Sequence, residues 1–210
     1  MGVRPRIGVL AVQGAVAEHE RALAAVGGIP VRVRDEAGLA GLDGLVIPGG
    51  ETTTLRRVAG DSGLIDALRQ ARRDGLPILG TCAGLIALAD DIADGDATLV
   101  GGLDITVRRN GYGRQLASFE TRLSVEGVGT GPIEAIFIRA PIIERVGPGV
   151  RVHAAYQDHA VAVSEGSCMG LSFHPELTAD HRFHDWLVGS ARTYARGPAE
   201  HTKEGLGVRA

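Results

Sequence analysis

Along the first half of the chain, short apolar runs alternate with segments of helical period, and this alternation restricts the fold more than any other feature of the sequence. RIGVLAV at 6–12 reads as a strand. Residues 15–26 carry apolar side chains at helical spacing, with Glu18, Glu20 and Arg21 among them, until Gly27-Gly28 ends the pattern. VRVR at 31–34 and GLVI at 44–47 follow as short strands, residues 64–73 form an amphipathic stretch stopped by Gly75, and PILGT at 77–81 is the next strand. Strands separated by helices need crossover connections, and crossovers lay strands parallel. The expected fold is therefore α/β, with a mostly parallel central sheet flanked by helices. After Gly101 the texture changes. LDITVRRNGYGRQ, ASFETRLSVEGV, EAIFIRA, GVRVHAAYQ and HAVAVSEG read as strands in hairpin order, a small antiparallel extension, before CMGLSFHPE supplies one more strand and residues 181–195 a last helix. No repeat or linker divides the chain, so residues 1–196 are read as one domain and the polar, Gly-rich 197–210 as a disordered tail.

At 210 residues and 44% hydrophobic, the chain is long enough to bury a full core. Its formal charge of -3 is scattered along the sequence, which gives no footprint for nucleic acid or an anionic membrane. No run approaches the roughly 20 apolar residues of a membrane span, and MGVRPRIGVLAVQG lacks a signal-type cleavage site. Small molecules or proteins remain as partners. Two cysteines, Cys82 and Cys168, in a chain with its own core fit a reducing cytoplasm better than a disulfide scaffold.

Cys82 lies in Gly80-Thr81-Cys82-Ala83-Gly84, at the junction of a predicted strand and helix. G-x-C-x-G in that position matches the geometry of a nucleophile elbow, in which glycines relieve a sharp turn that projects the middle side chain. A thiol there is near a helix N-terminus, which favours thiolate, and the Ala83 N–H is free to face an oxyanion. The alternative is a small buried filler, since free cysteine packs well in cores. A nucleophilic thiol needs a base, and the base an orienter. SFHPE offers both: in an extended segment His174 and Glu176 point to the same side, and Pro175 holds the preceding residue extended. This makes a Cys-His-Glu triad, or otherwise a surface turn at a strand end. Pro48-Gly49-Gly50-Glu51-Thr52 follows the strand GLVI, and could bring a second oxyanion N–H to the site or be an ordinary turn. No phosphate-binding loop is present, so nucleotide binding has no support. The remaining histidines show no metal-ligand spacing, and neither a metal nor a cofactor is expected.

Together GTCAG, PGGET and FHPE resemble the class I, or triad, glutamine amidotransferases, whose fold is flavodoxin-like. LAVQGAVAEHE, PGGETTTLRR, GTCAGLI, RRNGYGRQLASFE, FIRAP and SFHPELTADHR narrow the resemblance to the glutaminase subunits of pyridoxal 5'-phosphate synthases, and these motifs lie between residues 9 and 182. The resemblance implies that Cys82 attacks the side-chain amide of L-glutamine, that His174 shuttles the proton and Glu176 holds it, and that Gly50 and Ala83 supply the oxyanion N–H groups. It implies a glutamine site at Gly50, Glu51, Thr52, Arg109, Ile138 and Arg139, with Gln13 close by; Thr52 stands where such proteins usually have serine. A carboxylate for the ammonium and arginines for the carboxylate suit an amino acid ligand. From the residues alone, Arg109 could equally sit in a solvated turn and Arg139 be paired or exposed. The resemblance further implies a synthase partner of barrel fold, in a large hetero-oligomer, that takes the ammonia through a tunnel; pyridoxal 5'-phosphate is then the product of the complex and no ligand of this chain. Two other functions share parts of the pattern: the glutaminase of another amidotransferase, such as imidazole glycerol phosphate synthase, and a cysteine hydrolase with no glutaminase activity.

Overall fold

The computed structural model describes residues 4–60, 63–109, 111 and 118–197, with Thr52 and residues 58–60 described for their backbone alone. The tail expected from residue 197 onward, apart from Gly197 itself, and most of RRNGYGRQ lie outside the described residues.

The first half builds the core as its alternation requires. Strand β1 (Arg6–Leu10), helix α1 (Val16–Ala25), β2 (Ile29–Val33), β3 (Gly44–Ile47), helices α2 (Thr52–Gly60) and α3 (Leu64–Arg73), β4 (Ile78–Thr81) and the short helix α4 (Ala83–Leu88) follow in order. β2, β1, β3 and β4 pair side by side and parallel. The central strand β3 is covered on both faces, and its sequence is apolar throughout: Leu45 and Ile47 belong to one buried cluster with Leu64, Leu68 and Leu85, while Val46 joins Ile7, Val9 and Leu79 in the other.

The second half contains β5 (Ala89–Ile92), β6 (Leu103–Arg108), β7 (Ser118–Leu123), β8 (Ile133–Ile138), β9 (Ile142–Val146), β10 (Arg151–Tyr156), β11 (His159–Glu165), β12 (Cys168–Leu171) and helix α5 (Arg182–Ala195). β12 adds to the parallel sheet beside β4, and β11 and β10 continue it antiparallel, giving seven strands in the order β10-β11-β12-β4-β3-β1-β2. The antiparallel extension is therefore present, though not as one run of hairpins. β6 pairs parallel with β5 and antiparallel with the more distant β9, and β7 pairs with β8 as a separate ribbon. Phe183, Leu187 and Val188 of α5 and Leu23 of α1 cover one face of the large sheet, with Trp186 packed partly against them. Cys168 is buried among the opposite layer. Among the described residues no helix is long and apolar enough to cross a membrane.

Candidate active site

The carboxyl ends of β1, β3, β4 and β12 lie side by side, and the segments leaving them carry Gln13, Gly49 to Glu51, Cys82 and His174. The ends of parallel strands in an open α/β sheet are where the connecting loops form a crevice. Here a cavity of about 270 Å³ is lined by Gly49, Gly50, Glu51, Cys82, Ala83 and His174, and on its other side by Arg109, Ile138 and Arg139.

Cys82 takes φ 50 and ψ -103 between β4 and α4, a strained conformation for a residue with a side chain. Two close approaches hold it there. A methyl group on Gly84 would lie 1.9 Å from the Ile47 carbonyl oxygen, and one on Gly80 would lie 2.5 Å from the Gly84 carbonyl oxygen. The glycines of the motif relieve crowding through close backbone packing, and the positive φ of the turn falls on Cys82 itself. The thiol is 8% exposed and opens to the cavity, with its Sγ 3.8 Å from the Ile138 carbonyl oxygen. As the first residue of α4, Ala83 has an N–H with no partner inside the helix.

His174 reaches the same point from β12. Its Nδ1 is 2.7 Å from Glu176 Oε1, and the ring lines the same cavity as the Cys82 side chain. The pairing does not come from strand alternation, as the sequence suggested. Pro175–Leu177 forms a 3-10 turn, and the carboxylate folds back under the ring. Burial works against a charged imidazole, but hydrogen bonds to Cys82 and Glu176 and their negative charge outweigh it and push His174 up to about 10. Burial would raise the Glu176 carboxyl; the hydrogen bond to His174 and the charge of that ring, with the His19 ring beside it, hold it far below the usual carboxylate range instead. Gly49 lies against the side chains of both His174 and Cys82. A methyl group there would lie 2.6 Å from His174 Cε1 and 3.3 Å from Cys82 Cβ.

The loop after β3 is braced from both sides. Thr81 Oγ1 accepts from the Gly49 N–H at 3.2 Å, and Gln13 Oε1 accepts from the Glu51 N–H at 3.0 Å. Gly50 has φ 136, and a methyl group on it would meet Gln13 Cδ at 2.7 Å. Gln13 thus supports the loop from behind. Glu51 and Arg139 meet at 2.8 Å, and Arg139 has the positive φ of 44. Arg109 lines the cavity and is paired with Asp94 at 3.2 Å and Asp96 at 2.7 Å, two acids the sequence reading did not single out. The Thr52 side chain lies outside the described residues, although its backbone opens α2. Cys168, by contrast, is raised to about 11 by burial, as suits a packed thiol.

The sequence reading also passed over Thr81 and His19. His19 is 0% exposed, with its Nε2 3.5 Å from Glu176 Oε2. The available signal was its place in the buried stripe of α1, shared with Ala22 and Leu23, where a histidine has to find polar partners.

The SNO glutamine amidotransferase family matches residues 9–193. A pyridoxal 5'-phosphate synthase subunit PdxT from Frankia alni is 51% identical over 195 residues, covering 92% of this chain and 98% of that protein. One from Geobacillus thermodenitrificans is 54% identical over 187 residues, covering 89% and 95%. A solved structure described as a glutamine amidotransferase superposes with a TM-score of 0.83 at 43% identity, over 88% of this chain and 98% of that one.

Proposed function

Because the chain belongs to the SNO glutamine amidotransferase family, we propose that it is the glutaminase subunit of a pyridoxal 5'-phosphate synthase, hydrolysing L-glutamine to L-glutamate and ammonia. The observation that carries the catalytic assignment is that Cys82 and His174 share one wall of a cavity of amino-acid size, with Glu176 buried behind the imidazole and bonded to its Nδ1.

The roles follow from the geometry. The Cys82 sulfur attacks the side-chain amide carbon of glutamine, and the carbonyl oxygen takes up negative charge as the carbon becomes tetrahedral. The N–H groups of Ala83 and Gly50, two residues that line the cavity, stabilise that charge on this reading. His174 passes its proton to the amide nitrogen, the C–N bond breaks and ammonia leaves, with the acyl group held on sulfur as a thioester. The imidazole then takes a proton from water, the hydroxide attacks the thioester, and glutamate departs as the sulfur regains its starting state. Glu176 keeps Nδ1 protonated throughout, so that Nε2 is the atom that exchanges protons with substrate. At the far end of the cavity Glu51 receives the substrate ammonium, and Arg139 and Arg109 its carboxylate, with Thr52 and Ile138 completing the contact. Residues 1–196 form the glutaminase domain, and it works in the cytoplasm.

Ammonia released to water is lost to synthesis. The relatives are named as subunits of a synthase, and on this reading a synthase subunit docks over the Gly49-Gly50 loop and receives the ammonia within a hetero-oligomer. Hydrolysis is then slow in the isolated chain and rises on docking. Ammonia release from L-glutamine, measured with and without the synthase subunit, tests this. Equal rates in the two conditions refute the activation, and no release in either refutes the glutaminase assignment.

A further inference from the structure

Behind the triad lies a chain of buried polar groups that the reaction as written does not use. His19 on α1 is wholly buried, as are His184 on α5 and the Glu176 side chain. His19 Nδ1 is 3.0 Å from His184 Nε2, and His19 Nε2 is 3.5 Å from Glu176 Oε2 and 3.4 Å from Thr81 Oγ1. Glu176 Oε1 is occupied by His174, whereas Oε2 is buried with no hydrogen-bond partner, and the His19 nitrogen stands 3.5 Å from it. A carboxylate oxygen left bare in the interior is costly, and an N–H aimed at it removes that cost.

The proton positions in this chain are fixed by its ends. An ionised Glu176 disfavours a lone pair on the facing nitrogen, so His19 carries its proton on Nε2 and accepts at Nδ1 from His184 Nε2–H. Neutral His184 then leaves a bare lone pair at Nδ1, which matches the unpartnered, buried Nδ1 found there. Burial lowers His184 to about 3, in keeping with a neutral ring.

We propose that His19 is a positioning residue of the glutaminase site: it donates from Nε2 to Glu176, with Thr81 Oγ1 in reach of the same nitrogen, and so fixes the orienter of the base and the β4 hydroxyl that anchors the Gly49 loop. Through Thr81, which accepts from the Gly49 N–H at 3.2 Å, one side chain ties the base to the oxyanion loop. The inference rests on the glutaminase reading above.

His19→Gln places an amide N–H near the site of Nε2, and His19→Asn places one near Nδ1, out of reach of Glu176. The two are alike in polarity and burial cost. With the full chain and its synthase partner, His19→Asn should lower kcat by about 10- to 100-fold with KM within about twofold, and His19→Gln should recover to within about threefold of the parent. Proton NMR of the isolated chain gives a reading independent of turnover: the low-field signal of the His174 Nδ1–H should persist in His19→Gln and move upfield or vanish in His19→Asn. Equal kcat and equal proton signals in the two variants overturn the proposal, as does equal loss accompanied by equal loss of melting temperature, which marks a packing role. An inactive parent enzyme refutes the glutaminase reading, and the NMR comparison then still decides the contact.

Discussion

Arg139 and Glu51 bond to each other at the mouth of the cavity at 2.8 Å, although each is assigned to a different charged group of the substrate. Both side chains are more than half exposed, at 64% and 58%, so the pair stabilises the fold very little. A bound amino acid replaces it with two new charged contacts, ammonium to Glu51 and carboxylate to Arg139. Glu51→Gln and Arg139→Ala should therefore leave the melting temperature nearly unchanged while raising KM for glutamine by about 10- to 100-fold. A large fall in melting temperature with unchanged KM would mean that the pair is structural.

Gly49 and Gly84 should separate activity from stability. A methyl group at Gly49 presses on His174 Cε1 and Cys82 Cβ, both side-chain atoms. Gly49→Ala should fold with a modest loss of stability and lose most of its turnover, because the base and nucleophile are pushed out of register. Gly84→Ala meets the Ile47 carbonyl oxygen, a backbone atom inside the sheet, and should cost about 3 kcal/mol or more. Thermal melts and initial rates on both variants distinguish these outcomes.

The titrating groups of the site also set the pH range of stability. His174 is raised from 6.5 to about 10, so its contribution is complete below pH 6.5 and is lost as pH climbs through 10. Glu176 is lowered from 4.5, and its contribution is complete above that pH and fades as pH falls further. His184 is lowered from 6.5 to about 3, so below 6.5 the unfolded chain takes up a proton that the folded chain refuses, and stability falls. Urea midpoints should therefore drop on the acid side already below 6.5. In His184→Gln, which keeps a donor toward His19 and does not titrate, the acid limb should begin nearer 4.5. A limb that still begins at 6.5 would show that His184 is not the group responsible.

The layout of the site could be read from the sequence wherever local chemistry determines structure. GLVI at 44–47 and the stretch 64–73 were placed with their exact bounds as β3 and α3, one apolar throughout and the other strongly amphipathic before a glycine. The approach of Cys82 to His174 was legible because each sits in a short motif with few structural alternatives. Other features carried no local signal. The three threonines of α2 lower its helix propensity, and β5, with two exposed aspartates, is held by pairing with β6. The pairing of β6 with β9 joins segments over 30 residues apart, which no turn pattern announces. His19 was missed because a histidine in an apolar stripe looks like any other core position until its partners from α5 and the 3-10 turn are placed beside it.

Labelling with 6-diazo-5-oxo-L-norleucine addresses the central assignment most directly, because this diazoketone analogue of glutamine alkylates the sulfur that attacks it. With the synthase subunit present, peptide mapping by mass spectrometry should find one adduct, on Cys82, slowed by excess L-glutamine and absent from Cys82→Ala. An unlabelled Cys82, or an adduct on Cys168 in its place, would contradict the account.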